Sequence, residues 1–319
     1  YQSSYVCSSE FCPSIYGAVN EFVGCRLFGL LFAFMNYDFN SFYVGIAKTK
    51  VITATTSIMV VVNIVLDYAL IFGHWGLPKM GISGAALASV IAEATSCVVF
   101  VVYTRFKFGY GKYNLFSFAP LNKKLLLRIL NVAWPLMFQF FLSIFVWFVF
   151  FLFIEKMGEV PLAVSNILRS VYIVLMIPIW GFASATNTFV SQLIGQERSG
   201  EVMRLVKKVI MLSMSAVLGL GLICISFPTL ILKIYTNNPL LIEQSLPVFN
   251  IVAIAAIGMA GAFVMFNGVS GTGNTKVSFA IEVGTLLIYL LWAYLMAIVF
   301  KTSLTWVWAA EIIYGIFIT

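Results

Sequence analysis

The most constraining feature of this sequence is a succession of apolar runs, each about as long as a bilayer is thick. A helix needs about 20 mainly apolar residues to cross the hydrocarbon core of a membrane. Hydrophobic residues make up 61% of the chain and charged residues only 10%, whereas a soluble domain is typically about 25% charged. The sequence therefore predicts an all-α polytopic membrane protein. We expect about nine transmembrane helices, near residues 17–46, 51–74, 83–106, 124–155, 159–195, 205–233, 241–268, 275–300 and 303–319.

Basic residues alternate between the loops that join these runs. One set of loops is rich in Lys and Arg, whereas each loop of the other set holds a single Lys. The positive-inside rule places the rich set in the cytoplasm. Residues 1–16 are then predicted to be an extracytoplasmic segment, and residues 107–123 a cytoplasmic linker between lobes. The net charge of +7 is thus a signal of orientation in a cell membrane, inner or plasma, and no basic, aromatic-rich soluble module indicates a nucleic-acid partner.

A short motif occurs twice at corresponding positions. Gly45-Ile-Ala-Lys-Thr-Lys-Val51 follows the first predicted helix, and Gly271-Thr-Gly-Asn-Thr-Lys-Val277 follows the seventh. If these two helices correspond, helices four to six have no upstream counterparts, so we expect three further helices before residue 1. The whole protein would have twelve helices in two six-helix lobes, a known transporter architecture. Residues 17–106 would be the last three helices of the N-lobe, and residues 124–319 a six-helix C-lobe whose last helix is truncated.

Two polar side chains in the second helix are the first candidates for a functional site. Asn63 and Asp67 are four residues apart in an otherwise apolar run, so they share one face of the helix. A carboxylate at mid-bilayer depth costs roughly 2.5–3.5 kcal/mol on insertion scales. Such a residue normally faces a cavity, a partner or an ion. Ser89 and Glu93 share a face of the third helix in the same way.

Other polar side chains also lie inside predicted spans. Arg26, near the outer end of the first helix, either extends to the interface or pairs with Asp67 or Glu93. Pro135 and Pro178 are expected to kink their helices. The remaining polar side chains either hydrogen-bond between helices or line a substrate cavity. The candidates for that cavity are Gln139, Asn166, Arg169, Glu93 and Glu282.

Signatures of catalysis are absent from the sequence. The single histidine, His74, lies in a loop, and no zinc-ligand spacing, phosphate loop or nucleophile elbow occurs. We therefore predict no enzyme, no cofactor and no bound metal beyond a transient Na+ at Asp67 and Asn63. A membrane-embedded enzyme or a passive channel remains the alternative from a different class.

Six segments together resemble one transporter family. They are Asn63-Ile-Val-Leu-Asp-Tyr-Ala-Leu-Ile-Phe-Gly73, Gly76-Leu-Pro-Lys-Met-Gly-Ile-Ser-Gly-Ala-Ala-Leu-Ala-Ser89, Pro135-Leu-Met-Phe-Gln139, Pro178-Ile-Trp-Gly-Phe-Ala-Ser-Ala185, Val190-Ser-Gln-Leu-Ile-Gly-Gln196 and Gly268-Val-Ser-Gly-Thr-Gly-Asn274. Together they resemble the multidrug and toxic compound extrusion (MATE) family over about residues 17–319. The resemblance implies twelve helices in two lobes and a secondary antiporter. It also implies export of cationic or amphipathic compounds in exchange for Na+ or H+ by alternating access.

The resemblance also implies roles for individual residues. Members with a cation site in the N-lobe use an Asn and an Asp of the fifth helix and a hydroxyl of the sixth, which correspond to Asn63, Asp67 and Ser89. Other members carry acids in the seventh and tenth helices; those positions fall near Ser143 and Ala260 here, so we place coupling in the N-lobe. We expect a monomer whose partners are small molecules and the lipid bilayer. A lipid-linked oligosaccharide flippase of the same superfamily is the alternative.

Overall fold

The computed structural model describes residues 13–108 and 122–319, and every regular element within them is helical. Eight helical segments are long and apolar enough to span a membrane, and Leu304–Phe317 adds a shorter apolar stretch. The prediction of an all-α polytopic membrane protein is confirmed. The helices are α1 (Pro13–Gly45), α2 (Thr49–Phe72), α3 (Ile82–Phe108), α4 (Lys123–Glu155), α5 (Glu159–Gly195), α6 (Val202–Ser226), α7 (Pro228–Tyr235), α8 (Pro239–Gly271), α9 (Thr275–Tyr294), α10 (Leu304–Trp308) and α11 (Ala310–Phe317).

Proline and asparagine explain several of these boundaries. The predicted span 205–233 is two helices in the structure, because Phe227 leaves the helical region (φ −130°, ψ 48°) before Pro228 begins α7. A residue that precedes proline is disfavoured in the helical conformation, and proline itself suits the first helical position. Asn122 caps α4 by accepting hydrogen bonds from the amides of Lys124 and Leu125. By contrast, α4 continues as a helix through Pro135.

The chain divides into two compact units, Tyr1–Pro120 and Leu121–Thr319, which we call the N-terminal unit and the C-terminal unit. The lobe boundaries given above stay a prediction. Residues 1–12 and 109–121 lie outside the described residues, and with them most of the predicted extracytoplasmic segment and of the predicted linker.

In the N-terminal unit, α3 packs against both α1 and α2. Its contacts with α1 run in the same chain direction, from the Glu21–Ser83 hydrogen bond to the Tyr43–Thr104 hydrogen bond. On the other side, a Cβ atom added to Gly84 would lie 2.8 Å from the carbonyl oxygen of Leu70. The backbones of α2 and α3 therefore approach as closely as small residues allow in membrane helices.

In the C-terminal unit, the largest hydrophobic core gathers residues from α4, α5, α6, α7, α8, α9 and the two last helices. Phe150 is fully buried in this core, with its ring 5.5 Å from that of Trp308 and 5.4 Å from that of Tyr289. The indole of Trp308 donates a 3.0 Å hydrogen bond to the Ser165 hydroxyl, so its polar atom is satisfied inside the core. This core fixes the positions of the helices that bear the buried acids described below.

Candidate functional site

Asn63 and Asp67 lie one turn apart on α2, and both side chains are half-buried. The Oδ1 atom of Asp67 and the Nδ2 atom of Asn63 are buried, and neither has a hydrogen-bond partner. Buried polar atoms are nearly always hydrogen-bonded, so an unpaired one calls for an explanation. Among the residues that the structure describes, these two are the buried side-chain polar atoms of α2 that have no partner.

Within the described residues, Ser89 is not hydrogen-bonded to the pair on α2. It precedes Glu93 by one turn on α3, and Glu93, Ser96 and the residues beyond them contact α1. No hydrogen bond within residues 13–108 joins the Ser89 hydroxyl to Asp67 or Asn63. The structure therefore brings together the amide and the carboxylate of α2, and the participation of Ser89 stays a prediction.

The Arg26 side chain pairs with Glu93 rather than with Asp67. Its Nη2 atom lies 2.6 Å from Glu93 Oε1, with the side chains 36% and 16% exposed. The backbone of Glu93 is held as well, because Asn36 donates a 2.9 Å hydrogen bond to its carbonyl oxygen. Arg26 thus compensates the charge of Glu93, whereas no described basic residue forms an ion pair with Asp67.

In the C-terminal unit, Gln139 and Glu282 are buried and meet through one serine. The hydroxyl of Ser143 lies 2.7 Å from Glu282 Oε1 and 2.9 Å from the backbone carbonyl of Gln139. Tyr314 of α11 donates a second hydrogen bond, 2.9 Å long, to the same Oε1 atom. Neither partner of Glu282 is predictable from the sequence, because Ser143 and Tyr314 are 139 and 32 residues away along the chain.

Asn166 and Arg169, by contrast, are exposed residues on α5. The guanidinium of Arg169 lies 5.2 Å from the centre of the Phe151 ring, a cation–π distance. The structure does not bring these two residues into contact with Gln139 or Glu282. The assignment of all five candidates to a substrate cavity stays a prediction.

A second buried acid, Glu311, is fully hydrogen-bonded. Tyr172 donates to its Oε2 atom at 2.9 Å, and Tyr289 donates to its Oε1 atom at 3.0 Å. The sequence alone does not identify the partners of this acid, because Tyr172 and Tyr289 lie on α5 and α9 at no regular spacing from Glu311. Its network ties three helices together in the core.

A multi-carboxylate or His/Cys metal centre is not present in residues 13–108 and 122–319. What these residues offer instead is single carboxylates beside neutral oxygen donors. Such sets suit hard cations, because alkali and alkaline-earth ions prefer oxygen ligands.

A family model described as MatE matches residues 135–295, about half of the chain. The chain belongs to the MatE family. MatE proteins are multi-pass membrane transporters rather than enzymes, which agrees with the eight apolar helices. The corresponding predictions of family, class and membrane location are confirmed.

Individual relatives agree with this family. The chain is 30% identical over 202 residues to a probable multidrug resistance protein NorM of Agrobacterium fabrum, covering 63% of this chain and 43% of that one. It is 26% identical over 239 residues to a probable multidrug resistance protein NorM of Thermotoga maritima, covering 74% and 51%. The chain therefore spans about half the length of these curated relatives.

The fold is similar to that of solved MATE transporters. The crystal structure of a point mutant of the MATE transporter VcmN of Vibrio cholerae matches with a TM-score of 0.84 at 17% identity, covering 96% of this chain and 69% of that one. An outward-facing MATE transporter of the MOP superfamily matches with a TM-score of 0.83 at 18% identity, covering 92% and 65%. These likenesses establish the MatE helical fold.

Proposed function

We propose that the whole protein is a secondary antiporter that exports cationic or amphipathic compounds in exchange for Na+ or H+. The coupling cation would be held by Asp67, with Asn63 as its neighbour on α2. The observation that supports this most directly is the pair of buried, unpaired polar atoms that these two side chains place one turn apart. The naming of the relatives as probable multidrug resistance proteins supports the substrate class.

The charge on Asp67 is the physical reason for expecting a cation. An ionised carboxylate within a membrane span is costly unless it is paired, and Arg26 is already engaged by Glu93. A bound Na+ or a proton would neutralise Asp67. The amide of Asn63 contributes an oxygen to a metal ion after a half-turn about its terminal torsion, which exchanges its O and N positions.

The membrane potential makes such a site useful for transport. Moving one positive charge inward across the membrane gains about 2.3 kcal/mol per 100 mV. That energy shifts the equilibrium constant of the cation–substrate exchange by a factor of several tens. In our proposal, cation binding at Asp67 changes the packing of the N-lobe helices and lowers the affinity for the exported compound.

Substrate contacts are proposed more narrowly than the sequence predicts. Among the five candidates, Asn166 and Arg169 have exposed side chains, so we retain these two as residues that contact substrate. We also propose that the protein acts as a monomer.

Efflux of ethidium from cells that lack their own exporters tests this function. Asp67→Asn in the whole protein is expected to reduce efflux at least about tenfold, while expression and membrane insertion remain normal. The neutral amide has no negative charge to attract Na+ and cannot bind and release a proton. Asp38→Asn is the matched control, since Asp38 is an exposed acid on α1. Wild-type efflux by Asp67→Asn would refute the assignment, and movement of labelled lipid in place of ethidium would favour the flippase.

A further inference from the structure

A cavity of about 240 Å³ lies between the end of α5 and the beginning of α6. Phe189 and Leu193 line it from the last turns of α5, and Arg204, Leu205 and Lys208 line it from the first turns of α6. Pockets for drug-sized ligands have about 300–1,000 Å³. This cavity therefore suits a smaller group that meets both apolar and basic side chains.

The packing beneath the cavity is formed by a small hydrophobic core. Val190 of α5, Val206 and Val209 of α6 and Val264 of α8 are buried together, and Leu205 packs against them. Leu205 also lines the cavity, so the cavity rests on this core. The helix packing, rather than the surface side chains alone, fixes its shape.

The cavity lies where a membrane span meets the cytoplasmic surface. The short connection from Gln196 to Glu201 belongs to the Lys- and Arg-rich set of loops, which the positive-inside rule places in the cytoplasm. Beyond Lys208, α6 continues with the exposed apolar side chains of Met211 and Leu212. A ligand at this level would therefore meet the cytoplasm on one side and the hydrocarbon region on the other.

The charges around the cavity are unbalanced. Glu201, the acid in its lining, is already engaged by Arg198 through two hydrogen bonds of 2.9 and 2.8 Å. No acid among the described residues forms an ion pair with Arg204 or Lys208. These two exposed residues are four apart on α6, so they share a face and their like charges repel. An anion bound by both would remove that repulsion.

An anionic phospholipid fits this combination of side chains. A guanidinium can bind a phosphate through two parallel hydrogen bonds, and an ammonium binds it as a point charge. Basic pockets between transmembrane helices on the cytoplasmic side are suited to anionic lipid headgroups. Phe189 is also exposed, and it offers an apolar surface to an acyl chain. A free phosphate ion would use the basic side chains only and would leave Phe189 in contact with water.

We propose that the cavity binds the headgroup of an anionic phospholipid from the cytoplasmic leaflet. Arg204 and Lys208 hold the phosphate, and Phe189 contacts an acyl chain. This inference goes beyond the proposed function, because the site shares no residue with the cation site at Asp67 or with the substrate candidates. The bound lipid holds the ends of α5 and α6 at the membrane surface.

Equilibrium binding of tritiated dioleoyl phosphatidylglycerol to the immobilised whole protein in detergent tests the site. Each Lys or Arg beside an anionic lipid contributes a factor of about five to its binding. The double variant Arg204→Gln with Lys208→Gln should therefore raise the Kd about 25-fold. Unlabelled dioleoyl phosphatidylcholine, which has a phosphate but no net charge, should compete at least about fivefold more weakly than unlabelled phosphatidylglycerol.

Lys207→Gln with Lys276→Gln is the matched control. Both lysines are exposed, Lys207 is the neighbour of Lys208 on α6, and Lys276 lies at the start of α9. Neither lines the cavity, and their replacement removes the same total charge as the test variant. The control variant should keep the wild-type Kd within about threefold, since one charge counts for a factor of about five.

A third arm separates a lipid from a free phosphate. Inorganic phosphate, added in large excess at constant ionic strength, should not displace the labelled lipid, and Phe189→Ala should weaken lipid binding several-fold. Displacement by phosphate, with no effect of Phe189→Ala, would overturn the lipid in favour of a free anion. Equal Kd values for the test and control variants, or equal competition by the two lipids, would overturn the site.

Discussion

An alanine at position 271 would place a methyl group where the backbone of α5 already lies. A Cβ atom added to Gly271 would be 2.7 Å from the carbonyl oxygen of Asn187 and 3.1 Å from the Cβ of Val190. The first of these contacts is with backbone, which cannot rotate away as the end of a side chain can. The Ser191 hydroxyl also donates a 2.8 Å hydrogen bond to the Gly271 carbonyl, so any separation of α5 from α8 stretches that bond.

The expected cost follows from these contacts. Overpacking in a close-packed interior costs typically 1–3 kcal/mol, and a weakened hydrogen bond adds up to about 1 kcal/mol. Alanine recovers up to about 1 kcal/mol because it favours the helix more than glycine does. We therefore expect Gly271→Ala to destabilise the protein by about 1–3 kcal/mol.

Thermal unfolding in detergent at a fixed scan rate measures this difference. For 150–250 residues, a change of 1 kcal/mol shifts the midpoint by about 2–4 °C, so Gly271→Ala should lower it by several degrees. Gly258→Ala is the matched control on the same helix, because no atom lies within 4 Å of a Cβ added there. It should leave the midpoint unchanged or raise it slightly. Equal midpoints for the two variants would refute the close approach of α5 and α8.

Three further substitutions test local contacts by the same unfolding midpoint. Asn122→Ala removes the cap of α4 and should cost about 1 kcal/mol, whereas Asn122→Asp should not. Arg26→Gln leaves the Glu93 carboxylate without its partner. Breaking a buried pair in this way costs roughly 3–5 kcal/mol, but Arg26 is 36% exposed, so we expect a loss of about 1–3 kcal/mol. Adding Glu93→Gln should recover stability. Trp308→Phe leaves the buried Ser165 hydroxyl unsatisfied and should cost about 1–3 kcal/mol, part of which Ser165→Ala should restore. If Arg26→Gln lost less stability than Arg26→Gln with Glu93→Gln, the pairing of Arg26 with Glu93 would be contradicted. The same comparison of Trp308→Phe with and without Ser165→Ala tests the Trp308–Ser165 hydrogen bond.

The helical architecture was predictable because it depends on local properties of the chain. A run of apolar residues of bilayer length needs no knowledge of its neighbours to be recognised. The break between α6 and α7 escaped the prediction because the residues on both sides of it are mainly apolar, and only Pro228 signals an end. The capping role of Asn122 is equally local, since its side chain bonds amides two and three residues on.

The candidate sites were predictable only where their members lie on one helix. Asn63 and Asp67 are four residues apart, so helical periodicity alone brings them to one face. Glu282 meets Ser143 across 139 residues, and nothing in the sequence fixes the register of α4 against α9. Arg26 illustrates the same limit, because the sequence offered two acids as partners and only the packing of α1 on α3 selects Glu93.

Transport by purified protein in liposomes tests the central claim most directly, namely that a cation bound at Asp67 drives export. Vesicles that hold the whole protein would contain ethidium at the same concentration as the medium and would be given an inward Na+ gradient or an inward H+ gradient, with the membrane potential clamped at zero. We predict that one of these gradients drives ethidium out against its own gradient with the wild-type protein, and that neither does so with Asp67→Asn. Wild-type exchange by Asp67→Asn, or the failure of both gradients to drive exchange by the wild-type protein, would contradict the account.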